Sequence, residues 1–312
     1  MTAAAAQMAL VSCDDVLRPP VRDPDLAPLQ RALEAAGAGV SILSWTSAQD
    51  WSRFDAAVLR STWDYTQQLE RFLDWAYSTA LVTRLRNPFE LVRWNTDKHY
   101  LLDLERGGVP VIPTAFVDRG DDVLEALSAF PRAPEMVIKP VVGAGSRGVL
   151  RFDAAGRWGA AAHVAAIHAS GRGAMVQPYL GHVDAHGETA LIYCGGEFSH
   201  AVRKGPTLRP PGAPGEDPFG AHDAHDAHDV ATRSAEDDER AVAEAAMTVV
   251  SGLADAAGDM TTPPYARVDV VRDDDGRARV LEVELVEPSL FLDTAPGAAE
   301  RCAAALLDSL GG

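Results

Sequence analysis

The chain has 312 residues, of which 47% are hydrophobic and 23% are charged, a composition typical of a soluble globular protein with one large domain or two smaller ones. Its 45 acidic and 28 basic residues give a formal net charge of −17, which argues against nucleic acid or an anionic membrane as the main partner. Three cysteines without metal-type spacing argue against a disulfide framework; with no signal peptide and no apolar run near the roughly 20 residues of a membrane span, they favour a cytoplasmic protein.

The first third of the chain alternates short apolar runs with amphipathic segments. Strands are predicted at 8–13, 40–45 and 56–63, and helices at 26–37 and 69–80. This alternation predicts a small open sheet of parallel strands, with a domain boundary near residue 95. No GxGxxG follows the first strand, so the pattern does not indicate a dinucleotide site of that kind.

The rest of the chain mixes hairpins with longer helices. Helices are predicted at 96–108, 121–130, 157–171, 235–258 and 295–310, strands at 109–117 and 174–180, and hairpins at 136–152, 188–205 and 265–287. Residues 205–234 are rich in Pro and Gly and contain the run AHDAHDAHD at 221–229, which predicts a mobile surface loop. The alternative for this repeat is metal chelation by His222, His225 and His228.

A glycine-rich turn, VIKPVVGAGSRGV, follows an apolar strand that ends at Lys139. Glycines allow backbone N–H groups to turn toward an anion, and the lysine adds a point charge beside them. The residues of interest in the turn are Gly143, Gly145, Ser146, Arg147 and Gly148. The spacing is not that of a P-loop, and a tight hairpin without a ligand is the alternative interpretation.

The C-terminal hairpin carries an unusual set of charges on apolar strands. In ARVDVV, Arg267 and Asp269 share one face, and in LEVEL, Glu282 and Glu284 share one face. The hairpin turn brings the two faces side by side, and carboxylates crowded in this way repel each other unless a cation lies between them. Because Mg²⁺ takes oxygen ligands and bridges nucleotide phosphates, the pattern predicts a magnesium-dependent phosphoryl-transfer site.

The order of these features resembles the ATP-grasp superfamily. The resemblance rests on Lys98, then IKP with the glycine-rich turn, VQPYL, GE…RK and finally RVDV…LEVE, and it covers about residues 96–312. It implies an α/β fold in which two α+β subdomains clasp ATP, preceded by a parallel-sheet substrate domain over residues 1–95. More narrowly, RSTWDY, NPFELVRWNTDKHYL and FSHAVRKG are similar to the cycloserine-biosynthesis cyclo-ligase branch, which closes O-ureido-D-serine with ATP.

The resemblance also implies roles for individual residues. Lys98 and Lys204 would act on the terminal phosphates, and Arg267 would stabilise the transferring phosphoryl group. The nucleotide would be bound by Lys98, Lys139, Gly143, Gly145, Ser146, Arg147, Gly148, Gln177, Leu180, Asp184, Glu188 and Lys204. In this set Gln177 and Leu180 would contact the adenine, while Asp184 and Glu188 compete for the ribose. Two Mg²⁺ ions, for which Mn²⁺ could substitute, would be held by Asp269, Glu282 and Glu284.

The chain departs from the common ATP-grasp pattern at one place. Many members carry Glu-x-Asn, whereas this sequence has Glu-Val-Glu with Glu287 three residues further on. Either Glu284 or Glu287 could therefore be the second glutamate ligand. Glu284 is favoured because it shares a strand face with Glu282.

Substrate-binding residues are predicted where the third strand ends. Ligands of open α/β sheets bind beyond the carboxyl ends of the strands, which indicates Arg60, Ser61, Thr62 and Asp64. Arg60 would pair with a carboxylate and Asp64 with an α-amino group. The alternative is that this segment caps the following helix. The resemblance adds Arg203 as a further substrate contact.

The expected function is therefore an ATP- and Mg²⁺-dependent ligase or cyclo-ligase acting on a small amino-acid-like substrate. It would phosphorylate a carboxylate- or ureido-type oxygen, after which an amine or aminooxy nitrogen attacks. The alternatives are an amide- or dipeptide-forming carboxylate–amine ligase, a non-catalytic nucleotide-binding protein and an enzyme that stops at a phosphorylated product. A homodimer is expected from base rates alone.

Overall fold

The structure is a computed structural model that describes residues 5–18, 22–212, 229–256, 258 and 262–311. The His-Asp repeat, apart from Asp229, lies outside the described residues, and so do the three histidines considered there for metal chelation. No helix within the described ranges is long and apolar enough to cross a membrane.

The N-terminal sheet consists of β1 (Gln7–Ser12), β2 (Gly39–Ser44), β3 (Ala56–Ser61) and β4 (Arg84–Arg86), in the order β2-β1-β3-β4. All its strand pairs are parallel, as the sequence predicted. The sheet packs with α1 (Leu26–Ala35) and α2 (Leu69–Ala80). The short β4 was missed because RLR carries no apolar alternation, and β3 ends at Ser61 rather than at residue 63.

The middle sheet is antiparallel and has the order β5-β8-β6-β7. Its strands are β5 (Ala115–Val117), β6 (Glu135–Pro140), β7 (Leu150–Asp153) and β8 (Ala174–Pro178). Two helices precede it, α3 (Phe89–Asn95) and α4 (Tyr100–Arg106), and α5 (Val123–Ala126) and α6 (Arg157–Ala169) lie within it along the chain. The strand predicted at 109–117 forms only over its last three residues, while Val111 makes an isolated bridge to Val280.

The C-terminal sheet joins the two predicted hairpins into one antiparallel sheet, in the order β11-β10-β9-β12-β13. The strands are β9 (Glu188–Cys194), β10 (Glu197–Lys204), β11 (Val230–Arg233), β12 (Tyr265–Arg272) and β13 (Ala278–Glu284). The helices of this region are α7 (His182–His186), α8 (Asp237–Ala256) and α9 (Ala298–Asp308). Residues 265–272 are almost entirely buried, because helices pack on one side of this sheet.

Most of the buried hydrophobic residues in the described ranges belong to two cores. The larger core runs continuously from the N-terminal sheet into the C-terminal sheet, and it includes both Leu10 of β1 and Val268 of β12. A smaller core lies between the middle sheet and α6, where Ile138 and Ile167 are fully buried. The N-terminal and C-terminal sheets thus form one packed body, and the middle sheet is a separately packed layer facing it.

One cysteine pair corrects the sequence analysis. Cys194, at the end of β9, and Cys302, in α9, form a disulfide with a Cα–Cα distance of 5.0 Å. The argument against disulfides was wrong for this pair, because 108 residues separate the two cysteines and only the packing of α9 on the C-terminal sheet brings them together. Cys13 is a buried free thiol.

Candidate active site

A cavity of about 550 Å³ lies between the middle sheet and the C-terminal sheet. Strands of both sheets present charged or polar side chains to it, namely Lys139 from β6, Gln177 from β8, Lys204 from β10, Arg267 and Asp269 from β12, and Glu282 and Glu284 from β13. Lys98, between α3 and α4, lines it as well. The cavity therefore brings together most of the predicted nucleotide, metal and transfer residues, which are up to 186 positions apart in the sequence, from Lys98 to Glu284.

The acidic hairpin brings its two polar faces side by side, as the sequence indicated. Arg267 lies opposite Glu284, and Asp269 lies opposite Glu282. The buried Asp269 accepts hydrogen bonds from Arg267 Nε at 2.9 Å and Nη2 at 3.0 Å, and from Lys204 Nζ at 2.6 Å. Arg267 also pairs with Glu284. Although burial acts in the opposite direction, Arg267 and Lys204 hold the pKa of Asp269 below its ordinary value.

Lys98 connects the hairpin to the glycine-rich turn. Its Nζ donates to Glu282 Oε1 at 2.5 Å and to the carbonyl of Gly143 at 3.0 Å. Lys204 bonds Glu188 Oε2 at 2.8 Å besides Asp269. Each of these two lysines therefore balances a carboxylate at the cavity wall, and each is placed to exchange that partner for a phosphate.

Lys139 differs from the other two lysines. It is 7% exposed, and no carboxylate of the described chain lies within ion-pair distance of it. Burial lowers the pKa of Lys139 to about 8, although Glu282 acts in the opposite direction. A buried ammonium without an anionic partner is costly, so this position favours an anionic ligand.

The carboxylates provide a donor set that fits Mg²⁺. Among the residues that the structure describes, no three acidic, histidine or cysteine side chains converge on one point, because each hairpin carboxylate bonds a lysine or arginine. Burial raises the pKa of Glu284 to about 7, with Glu282 and Asp269 adding to the shift. The donors are all oxygens and lie on two neighbouring strands, so Asp269, Glu282 and Glu284 could hold magnesium together with phosphate oxygens.

The glycine-rich turn lies along the cavity from Gly143 to Arg147. Ser146 has a left-handed backbone at φ 58°, between Gly145 at 61° and Gly148 at 76°. A side chain is strained in this conformation, and consecutive left-handed residues turn backbone N–H groups to one side. Gly148 itself does not line the cavity, and its carbonyl is bonded by His163 at 2.8 Å.

The end of the cavity beside β8 is apolar. Ile112, Leu180 and Val271 form a small buried cluster there, flanked by Val183 and Leu281. This surface suits a flat aromatic ring, and the backbone of 177–180 borders it.

Two predicted nucleotide contacts differ in their placement. Gln177 Nε2 donates to Thr114 at 2.9 Å, so its side chain already has a partner while it lines the cavity. Of the two residues considered for contact with the ribose, Glu188 lines the cavity. Asp184 does not line it and instead bonds Arg151 and the Tyr179 hydroxyl.

The substrate residues predicted after β3 do not line the cavity. Arg60 is 1% exposed and donates from Nη2 to the carbonyl of Pro288 at 2.8 Å. Ser61 bonds Ser12, Thr62 is buried, and Asp64 accepts from Trp45 Nε1 at 2.7 Å. Arg203 bonds the carbonyl of His186 and the carboxylate of Asp229. The contacts of Arg60, Ser61 and Asp64 lie within the protein, because β3 ends within the shared core and a 3₁₀ turn follows at once, whereas those of Arg203 lie at the surface.

Of the segment that closes the other end of the cavity, the sequence analysis considered only Glu287, as a possible metal ligand. Residues 287–294 follow β13, and Glu287, Ser289, Phe291, Asp293 and Thr294 line the cavity together with Pro24 and Trp63. Asp25, the residue before α1, holds this segment by accepting hydrogen bonds from the backbone amides of residues 290, 291 and 292. Pro288 after the acidic strand was the only sequence feature that hinted at this segment. Its partners Asp25, Arg60 and Trp63 lie more than 220 residues away, and local patterns do not show such contacts.

Comparison with known proteins adds a relationship over nearly the whole chain. Residues 8–87 match a family model described as D-cycloserine synthetase DcsG, N-terminal domain. The chain is 41% identical over 293 residues to the cycloserine biosynthesis protein DcsG of Streptomyces lavendulae, covering 92% of this chain and 94% of the relative. The crystal structure of D-cycloserine synthetase DcsG aligns with a TM-score of 0.85 and 39% identity, covering 98% of this chain and 100% of that one.

More distant structures share the fold. The D-alanine–D-alanine ligase of Bacillus anthracis complexed with ATP aligns with a TM-score of 0.66 at 12% identity, covering 98% of this chain and 97% of the ligase. The ATP-grasp ligase PsnB, complexed with precursor peptide PsnA2 and AMPPNP, aligns with a TM-score of 0.62 at 15% identity, covering 98% of each chain. The expected ATP-grasp fold is confirmed by these alignments.

Proposed function

The chain belongs to the family of the cycloserine biosynthesis protein DcsG, and on this premise we propose that it closes O-ureido-D-serine to D-cycloserine with release of ADP and phosphate. Family membership and the ATP-grasp fold together make it an ATP-dependent ligase. The observation that carries the proposal is the hairpin at the cavity, where Arg267, Asp269, Glu282 and Glu284 meet Lys98 and Lys204.

The proposed ring closure starts from an activated carboxyl group. Transfer of the γ-phosphoryl group to the substrate carboxylate forms an acyl phosphate and ADP. The ureido nitrogen next to oxygen then attacks the carbonyl carbon, the C–N bond closes the ring, phosphate leaves and the nitrogen loses its proton. Water removes the carbamoyl group as carbon dioxide and ammonia. Phosphorylation of the ureido oxygen instead is the alternative first step.

The residues divide this work by charge. Lys98, Lys139 and Lys204 would hold the phosphates, with the turn from Gly143 to Arg147 covering them. Arg267 would stabilise the charge that develops on the transferring group. Magnesium, when bound by Asp269, Glu282 and Glu284, neutralises phosphate charge and orients the oxygens for in-line transfer.

Several finer expectations belong to the same proposal. Two Mg²⁺ ions, with Mn²⁺ as a substitute, would serve the site. Residues 1–95 would form the substrate domain and residues 96–312 the ATP-grasp domain. The protein would act in the cytoplasm as a homodimer, without nucleic acid or membrane partners.

The test is an assay of purified protein with Mg-ATP and O-ureido-serine of either hand, recording ADP release and product mass. We expect ADP with the D form only, and a product with the mass of cycloserine. No ADP with either form would overturn the substrate assignment. A dipeptide or amide product from other amino acids in a wider screen would replace it with a carboxylate–amine ligase.

A further inference from the structure

Glu287 is unlike the acidic residues that β9, β12 and β13 present to the cavity. It is 8% exposed and lines the cavity. In the described part of the chain, Asp269, Glu282, Glu284 and Glu188 each have a lysine or arginine within ion-pair distance, whereas no such cation lies within that distance of Glu287. A buried carboxylate without a cation is costly, so a cation from outside the chain is expected to complete this position.

The neighbours of Glu287 come from the end of β3 and the 3₁₀ turn that follows it. Its side chain lies near the Tyr65 hydroxyl, and its backbone carbonyl accepts a hydrogen bond from Trp63 Nε1 at 3.2 Å. Arg60 bonds the next carbonyl, that of Pro288, at 2.8 Å. The backbone at residues 287 and 288 is thus held in place, at the end of the cavity that residues 287–294 close.

These neighbours discriminate between two kinds of cation. Mg²⁺ takes several oxygen ligands and keeps much of its water. Asp269, Glu282 and Glu284 together offer such oxygens in another part of the cavity. One buried carboxylate with Trp63 beside it at the cavity instead suits an organic ammonium, because a carboxylate gives it a charge-assisted hydrogen bond and an aromatic ring can attract a cation.

We propose that Glu287 binds the α-ammonium group of the amino-acid substrate, with Trp63, which also lines the cavity, beside it. The inference rests on the proposed function, in which the α-amino group is not consumed and therefore serves only for recognition. It also answers the choice between the two glutamates: Glu284 belongs to the metal set, and Glu287 belongs to the substrate. The substrate carboxyl group then points from this subsite toward Arg267 and the phosphates.

The raised pKa of Glu287 agrees with this arrangement. Burial and the charge of Glu284 raise it to about 8, although Lys98 acts in the opposite direction. An ammonium group at this position would lower it again.

The experiment compares Glu287→Gln with Glu284→Gln as a matched control, in steady-state assays of ADP release and calorimetric binding of Mg-ATP. For Glu287→Gln we expect the KM for O-ureido-D-serine to rise at least ~30-fold, because a buried charge pair is lost, while the Kd of Mg-ATP and the Mg²⁺ dependence stay within about twofold. Glu284→Gln should instead shift the Mg²⁺ dependence and lower kcat. A shifted Mg²⁺ dependence in Glu287→Gln, or an unchanged KM, would overturn the assignment.

A second measurement does not depend on a variant that folds. The wild-type protein is assayed with 3-(ureidooxy)propanoic acid, which lacks only the amino group, and we expect its KM to be at least ~30-fold above that of the amino acid. Equal KM values would contradict the ammonium subsite. If O-ureido-D-serine gives no ADP at all, the proposed substrate fails separately, and the same comparison is made with the amino acid that does stimulate ADP release and its desamino analogue. Equal KM values there would again overturn the role of Glu287.

Discussion

The carboxylate of Asp25 accepts a hydrogen bond from the backbone amide of Leu290 at 2.6 Å, although 265 residues separate the two along the chain. The amides of residues 291 and 292 bond the same carboxylate at 3.2 and 2.8 Å. Asp25 is 1% exposed and precedes α1, so the start of this helix directly holds the segment that closes the cavity. This contact links the end of the cavity that residues 287–294 close to the start of α1.

Removing this carboxylate should disturb the site and the fold together. In Asp25→Ala three buried amides lose their acceptor and Arg60, 3.9 Å away, loses its nearest negative charge. We expect the free energy of unfolding to fall by about 3 kcal/mol and kcat/KM to fall by at least tenfold. Urea denaturation and steady-state kinetics measure the two effects. Asp74→Ala, on the exposed face of α2, is the control, and equal losses in both variants would show that Asp25 has no special role.

The hairpin carboxylates should be needed for turnover more than for nucleotide binding. In Glu282→Gln and Asp269→Asn we expect ATP to bind in the presence of Mg²⁺, while ADP release falls by about 100-fold or more, because the charges that position the metal and Arg267 are lost. Calorimetry and an ADP-release assay separate the two. Glu197→Gln, at the exposed start of β10, should behave as wild type. Near-wild-type turnover in either hairpin variant would contradict the metal assignment.

Lys139 should make nucleotide binding depend on pH. Burial places its pKa near 8, so the ammonium that pairs with phosphate is lost as pH rises through that value. We expect the affinity for ATP, measured without Mg²⁺, to decrease from pH 7 to pH 9, by up to about tenfold per pH unit above 8. Lys139→Gln should bind ATP more weakly at pH 7 and lose this part of the pH dependence. A parallel decrease in the variant and the wild type would exclude Lys139 as the source.

The ligand-free protein should become less stable as pH rises from about 5 to 8. The pKa of Glu287 is about 8 in the fold against an ordinary value of 4.5, so in this window the folded state keeps a proton that the unfolded chain has lost. Raising the pH then favours unfolding, by up to ~1.4 kcal/mol per pH unit for this group. Urea denaturation at several pH values measures the slope. Glu287→Gln should make the slope shallower, and an unchanged slope would show that other groups cause it.

Local sequence patterns were sufficient for the elements and for part of the site. Alternation of apolar runs predicted the parallel strands of the N-terminal sheet, and the turn at 274–276 predicted that the two polar faces of the C-terminal hairpin lie side by side. These predictions succeed because strand periodicity and hairpin turns act over a few residues. The same reasoning placed Lys139 and the glycine-rich turn at one cavity.

Long-range contacts could not be predicted in this way. Arg60 ends a parallel strand, where a ligand contact is expected, yet it is buried against the carbonyl of Pro288. Cys194 and Cys302 meet only because α9 packs on the C-terminal sheet.

The sequence by itself determined the types of charge in the site and the strands that carry them, because alternation and turn chemistry are local properties. Only the tertiary structure decided which of those charges have partners. Asp269, Glu282 and Glu284 are balanced by cations from other parts of the chain, whereas Glu287 is buried beside Tyr65 and Trp63 without one. Electrostatic balance depends on distances across the fold, and a pattern along one strand does not contain them.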